Sequence, residues 1–191
     1  MKKILFMMGW MAVFTLTAMH AQTHTDKELS KTERKALRKQ VKAEEDSLNF
    51  EQAKEALLNG NFALQAQSIR LEMGRTLFVT SNLNFLKMRN LERGMLQVGK
   101  NGMLSGPNGV DGITLDGTID NVKMYTDKRG DVHYTYDIWG VHISASIEIT
   151  LYKNSTRASA TVRPNFRIKD LYMDGDLVPL NESNLFEGRS I

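Results

Sequence analysis

The sequence predicts a mainly β protein: a single antiparallel β-meander domain, a sandwich or a curled barrel-like sheet, preceded by a charged N-terminal α-helix. Three observations carry this. The apolar rhythm changes from about 3.6 to 2 after Gly60. The alternating runs that follow are long: Val132, Tyr134, Tyr136 and Ile138; then Val141, Ile143, Ala145, Ile147, Ile149 and Leu151; then Ala158, Ala160 and Val162. Short turn signals separate them, at Asp127-Lys128-Arg129-Gly130, Gly140 and Lys153-Asn154-Ser155. Short connections demand antiparallel neighbours. One apolar face per strand means that the sheet covers a core on one side only.

The N-terminus is read as a targeting segment. Lys2 and Lys3 precede the apolar run Ile4–Met19, and Ala21 offers a small residue for cleavage before Gln22. The run is shorter than the roughly 20 residues of a membrane span. The domains expected are a signal peptide at 1–21, a charged helical spacer at 22–49 and a β-rich domain at 50–191. An exported, most simply periplasmic, protein follows, with no transmembrane anchor after cleavage. The formal net charge of +3, less Lys2 and Lys3, leaves +1. That balance gives no electrostatic reason to bind nucleic acid. The chain has no cysteine, which excludes thiol catalysis, Cys-ligated zinc and disulfide staples.

Asp26–Leu58 contains no Gly or Pro, and Thr25 with Glu28 has the spacing of a capping box. Lys27, Lys31, Lys35 and Lys39 form one basic row, and Arg34, Arg38 and Lys42 a second. These rows suit either a weak contact with an anionic surface or a solvated spacer; no aromatic anchor lies between Phe14 and Phe50. Phe50, Ala53, Ala56 and Leu57 share one face, suited to packing on a sheet. Asn59-Gly60 then ends the helix. Phe62, Leu64 and Ala66 begin the strands, followed by Thr76–Thr80, Asn84–Arg89, Met95–Val98 and a strong segment from Ile119.

The candidate site is the loop Ser105–Thr118, which holds four glycines, a proline and two aspartates. Its Gly106, Gly109 and Gly112 lack the order of a dinucleotide loop, and no Gly-Lys-Ser/Thr ends it. Asp111, Asp116 and Asp120 lack the alternation of a calcium loop. Pro107-Asn108-Gly109 is turn chemistry, and Asp116-Gly117 inside a strand-like run suggests a bulge. The loop is read as turn architecture or as a ligand-facing loop, with Asn108, Gly109, Asp111 and Trp139 as the ligand-binding candidates. Trp139, Tyr125, Tyr134, Tyr136 and Tyr152 line a pocket in one reading and pack the core or neighbouring strands in another. No catalytic residue, metal ligand or cofactor is assigned. Gln22-Thr23-His24 would offer an amine and an imidazole to copper or nickel, but N-terminal glutamine cyclises and loses its amine.

Two other functions compete with small-ligand or envelope-component binding. A tight turn at Trp139-Gly140 would set Ile138 opposite Val141, Asp137 opposite His142 and His133 opposite Ser146. Asp137, His142 and Ser144 or Ser146 would then suggest a hydrolase, or a polar cluster on a wet sheet face. A structural or partner-binding protein would act through the basic helix.

Gly74-Arg75, Ser81-Asn82, Gly106-Pro107-Asn108-Gly109-Val110, Gly112-Ile113-Thr114 and Asp116-Gly117-Thr118 form an ordered series. It continues with Glu148-Ile149-Thr150-Leu151-Tyr152, Leu177-Val178-Pro179-Leu180, Glu182-Ser183-Asn184 and Phe186-x-Gly188-Arg189-Ser190. In this series the chain, from about Phe50 to its end, resembles a family of small secreted proteins of Bacteroides-type bacteria known as a domain of unknown function. The resemblance implies export and a compact β-rich domain, and transfers no catalytic residue. It also recasts the tail as a docked segment, with Leu185 or Phe186 buried and Arg189 available for a carboxylate.

Overall fold

The computed structural model describes residues 30–71, 74–99, 112–165 and 169–188. The expected signal peptide and Thr25 therefore lie outside the described residues. A helix, α1 (Lys31–Leu58), leads into β1 (Phe62–Leu71), β2 (Thr76–Phe78), β3 (Phe85–Arg89) and β4 (Arg93–Val98). Then come β5 (Ile113–Thr126), β6 (Val132–Gly140), β7 (Ser144–Leu151), β8 (Arg157–Pro164) and β9 (Leu171–Pro179).

The described helix is capped at Ser30. Ser30 has a non-helical ψ of 155°, accepts from the Glu33 N–H, and receives the Glu33 carboxylate on its own N–H. This is a reciprocal capping box, inside the segment that the sequence reads as helix. The helix runs unbroken past position 49, but Leu37, Val41 and Leu48 stay exposed. Only Phe50, Ala53, Ala56 and Leu57 are buried. Gly60 (φ 62°) then turns the chain into β1, a left-handed conformation in which a side chain is strained.

Consecutive strands from β3 to β9 pair antiparallel, and β9 pairs with β1 from Phe62↔Pro179 to Leu71↔Leu171. That last pairing closes the sheet into an eight-stranded barrel and decides between the two expected forms: a curled, barrel-like sheet forms and a sandwich does not. β2 is an extra strand, paired with the far end of β1 at Ser68↔Phe78, Ile69↔Leu77 and Arg70↔Thr76. The alternation reads directly as the barrel interior. Tyr134, Tyr136, Ile138, Ala145, Ile147, Ile149, Leu151, Ala158, Ala160 and Val162 are all buried in one core. Val141 is the exception, 90% exposed in the β6–β7 connection.

Two local expectations are corrected. Pairing of β5 with β4 and β6 is regular through Gly117; the irregularity falls between Asp120 and Lys123, where Asn121 has φ 54°. Gly117 serves close approach instead. It lies between Gly94 and Gly140 in register, and a Cβ on it would sit 2.3 Å from the Trp139 carbonyl oxygen. Three glycines across three strands let the wall bend, as closure of a small barrel requires. The strong strand also begins at Ile113 rather than Ile119.

Beyond Pro179, a single 3-10 turn (Leu180–Glu182) leads the C-terminal segment across the outside of β1, β3 and β4. Phe186 donates its N–H to the Asn82 carbonyl. Gln97 donates to the Phe186 carbonyl at 2.8 Å and accepts from the Gly188 N–H at 2.7 Å. Lys87, almost wholly buried, is ion-paired with Glu187. This cover accounts for the burial of Ala63, Phe85 and Met95 on the outward side of their strands. The tail docks, as expected, but through polar bonds: Leu185 is only half-buried and Phe186 is exposed. Arg189 lies outside the described residues.

Candidate functional site

The barrel has two unlike ends. At one end the α1–β1, β3–β4, β5–β6 and β7–β8 connections meet, and the last turns of α1 pack against β9 and β1. Phe50, Ala53, Ala56 and Leu57 from the helix join Phe62 in the core. Phe62 stands edge-on to Tyr134 at 5.6 Å and to Tyr136 at 6.4 Å, and the two tyrosines meet edge-on at 5.8 Å. Edge-to-face rings fill space efficiently and gain from their quadrupoles. This end is shut.

At the other end β1, β4, β6 and β8 finish and β2, β5, β7 and β9 begin. Here the interior is aliphatic and is not filled. A cavity of about 370 Å³ opens between the strand ends. Its wall is Ile69 of β1, Leu77 of β2, Leu96 and Val98 of β4, and Ile113 and Leu115 of β5. Ala145 of β7, Val162 and Pro164 of β8, Leu171 of β9 and Ile143 complete it. Gly74, Arg75 and Lys169 stand at the rim; the two cations are exposed. Among the described residues no carboxylate, histidine, serine or tyrosine lines it. An eight-stranded barrel is just wide enough to be filled by side chains or to hold one small ligand. This barrel does the first at its shut end and leaves room for the second at its open end. The volume falls at the small end of the range for ligand pockets, ~300–1,000 Å³.

The residues expected to bind ligand fare differently. Asn108, Gly109 and Asp111 lie outside the described residues, although the strands on either side of them supply Val98 and Ile113 to the cavity. Trp139 is described and does not line it. It is 53% exposed and alternates with buried Ile138, so it stands on the outer face, opposite Thr118 and Ser144. The tyrosines do not line it either. Tyr134 and Tyr136 are core, Tyr125 stacks on His133 at 4.8 Å, and the Tyr152 hydroxyl donates to Ser159.

The hydrolase arrangement is not formed. The β6–β7 connection takes three residues after Gly140, whose N–H donates to the Ile143 carbonyl. Asp137 therefore faces Ser146, Ile138 faces Ala145 and His133 faces Thr150. His142 is left exposed in the turn. Asp137 accepts from Ser146 Oγ at 2.6 Å and from Asn121 Nδ2 at 2.7 Å, and these bonds hold its carboxyl below the usual range. His133 Nε2 lies 3.4 Å from Asp127, and its Nδ1 3.3 Å from Thr150 Oγ1. Desolvation pushes the Asp127 pKa up, but the N–H groups of Asp131, Arg129 and Gly130, together with His133, outweigh it and hold the carboxyl low. Both clusters lie on the outer face and staple turns or strands. Among the described residues no group of His, Asp and Glu side chains could hold a metal ion, and no helix is long and apolar enough to cross a membrane.

Sequence reasoning missed the cavity because its lining looks like core. One signal was present: apolar residues continue to the last position of several strands at the open end, as at Val98, Ile113 and Leu171.

A search of curated proteins returns no match. The crystal structure of a DUF4251 family protein from Bacteroides eggerthii is 39% identical in sequence, covers 74% of this chain and 95% of its own, and superimposes with a TM-score of 0.64. A family model described as "Domain of unknown function (DUF4251)" matches residues 44–177, from the second half of α1 to within β9. The chain belongs to the DUF4251 family.

Proposed function

We propose that this protein is a non-catalytic binding protein that holds a small apolar ligand in the open end of its barrel, acting outside the cytoplasm. One observation supports the binding reading above the others: a closed barrel, shut at one end by α1, keeps an aliphatic cavity of about 370 Å³ at the other. Filling that space with side chains would stabilise the fold, since each buried methylene is worth about 0.8 kcal/mol. A barrel whose described side chains leave it unfilled forgoes that gain. The export reading is supported by Lys2, Lys3 and the Ile4–Met19 run.

The test is a titration with phenylnaphthylamine, an uncharged fluorophore that brightens in apolar surroundings. Saturable one-to-one binding is expected, and Ala145→Trp, which places an indole in the cavity, should abolish it while the β-type circular dichroism spectrum persists. Equal binding to the parent and the filled variant would refute the cavity as the site.

A further inference from the structure

We propose that the ligand is an anionic amphiphile, a single acyl or alkyl chain ending in a carboxylate or similar anion, with the chain in the cavity and the head group held by Arg75 and Lys169. This rests on the cavity reading above and adds its chemistry. The interior supplies no hydrogen-bonding side chain among the described residues, so it suits a part of the ligand with nothing to satisfy. A methylene takes up about as much room as a water molecule, roughly 30 Å³. The space therefore accepts on the order of ten methylenes, a medium-length chain.

The rim is where polarity begins, and among the described residues its charge has one sign. Arg75 and Lys169 both border the cavity, both are exposed, and neither forms an ion pair within the described residues. The register places them together. Arg70 of β1 faces Thr76 on one side and Tyr172 on the other. Arg75 and Lys169 are thus carried by the two connections that flank the open end of β1. The acidic neighbour of Lys169 is turned away from the rim: Asp170 lies 3.7 Å from Arg163, which also pairs with Glu148. Long basic side chains that lay their stems along apolar surface and keep their charge in water are well placed to meet an anionic head group.

Displacement of phenylnaphthylamine by dodecanoate, dodecanol and dodecylammonium tests this. Chain length is shared, so the three differ only in head-group charge. Dodecanoate should bind about tenfold more tightly than dodecanol, with dodecylammonium weakest, and the preference should shrink at high salt. In the Arg75→Gln/Lys169→Gln double variant the carboxylate should lose that advantage while dodecanol affinity stays within about twofold. Equal affinity for carboxylate and alcohol in the parent would overturn the head-group assignment and leave the cavity reading standing. Failure of all three ligands to displace a fluorophore that does bind would also overturn it. If the fluorophore itself does not bind, the cavity reading falls and takes this inference with it.

Discussion

The shut and open halves of the barrel are built from the same strands, yet they do opposite things with their inward positions. Along β6 the inward residues run Val132, Tyr134, Tyr136 and Ile138, and along β7 they run Leu151, Ile149, Ile147 and Ala145, in each case from the shut end to the open one. Large rings and the helix occupy the first half. Smaller aliphatic groups line the second, and among the described residues no ring or helix fills it. A barrel of fixed strand number has a nearly fixed bore. The size of the inward side chains alone then decides whether a given layer is core or cavity.

The largest effect that sharpens this contrast is truncation. Phe62→Ala removes the ring around which Tyr134 and Tyr136 pack and should cost about 3–5 kcal/mol. Urea denaturation measures it. A loss below about 1 kcal/mol would mean that the shut half is not the core it is described as.

Next comes the alkaline response of the same layer. Burial raises the Tyr134 pKa from 10.0 to about 12, and burial with Tyr134 as neighbour raises that of Tyr136 further. A folded-state pKa above the unfolded one gives stability that is complete below pH 10 and is lost as pH rises towards 12. The urea midpoint should be level up to pH 10 and then fall, and Tyr134→Phe should flatten the fall. An identical decline in that variant would place the titration elsewhere.

Tyr136 offers a smaller change of opposite sign. Among the described residues its buried hydroxyl has no hydrogen-bond partner, whereas the Tyr134 hydroxyl lies 3.4 Å from Met88 Sδ. An unmet hydroxyl costs ~1–3 kcal/mol, so Tyr136→Phe should stabilise by about 1 kcal/mol. Smallest of all is Leu77→Ala at the open end, where the side chain is already exposed: within about 0.5 kcal/mol on stability, but measurable as weaker fluorophore binding.

The interior was readable because alternation survives any choice of partner. Tyr134 and Ile147 face inward whether the sheet is flat, stacked or closed. What alternation cannot reveal is which strands meet. Nothing in Phe62–Leu71 marks it as the partner of Leu171–Pro179, and that pairing separates a barrel from a sandwich. The offset between β6 and β7 was misjudged for a related reason. Gly140 reads as a tight turn, but the chain spends Val141, His142 and Ile143 before pairing resumes, so every opposite residue shifts and Asp137 finds Ser146 rather than His142. The cavity was hidden most deeply, since Leu96 and Val162 have the same chemistry whether they touch a neighbour or an empty space.

The seam between the first strand and the ninth also governs when this molecule can come into being. Phe62 pairs with Pro179, far along the chain from it. Contacts so distant in sequence are slow to form, because a long loop must close before they contribute. On the ribosome the ring cannot shut until the ninth strand has been made. Until then the nascent polypeptide is an open ribbon with bare edges, available to whatever must thread, escort or degrade it.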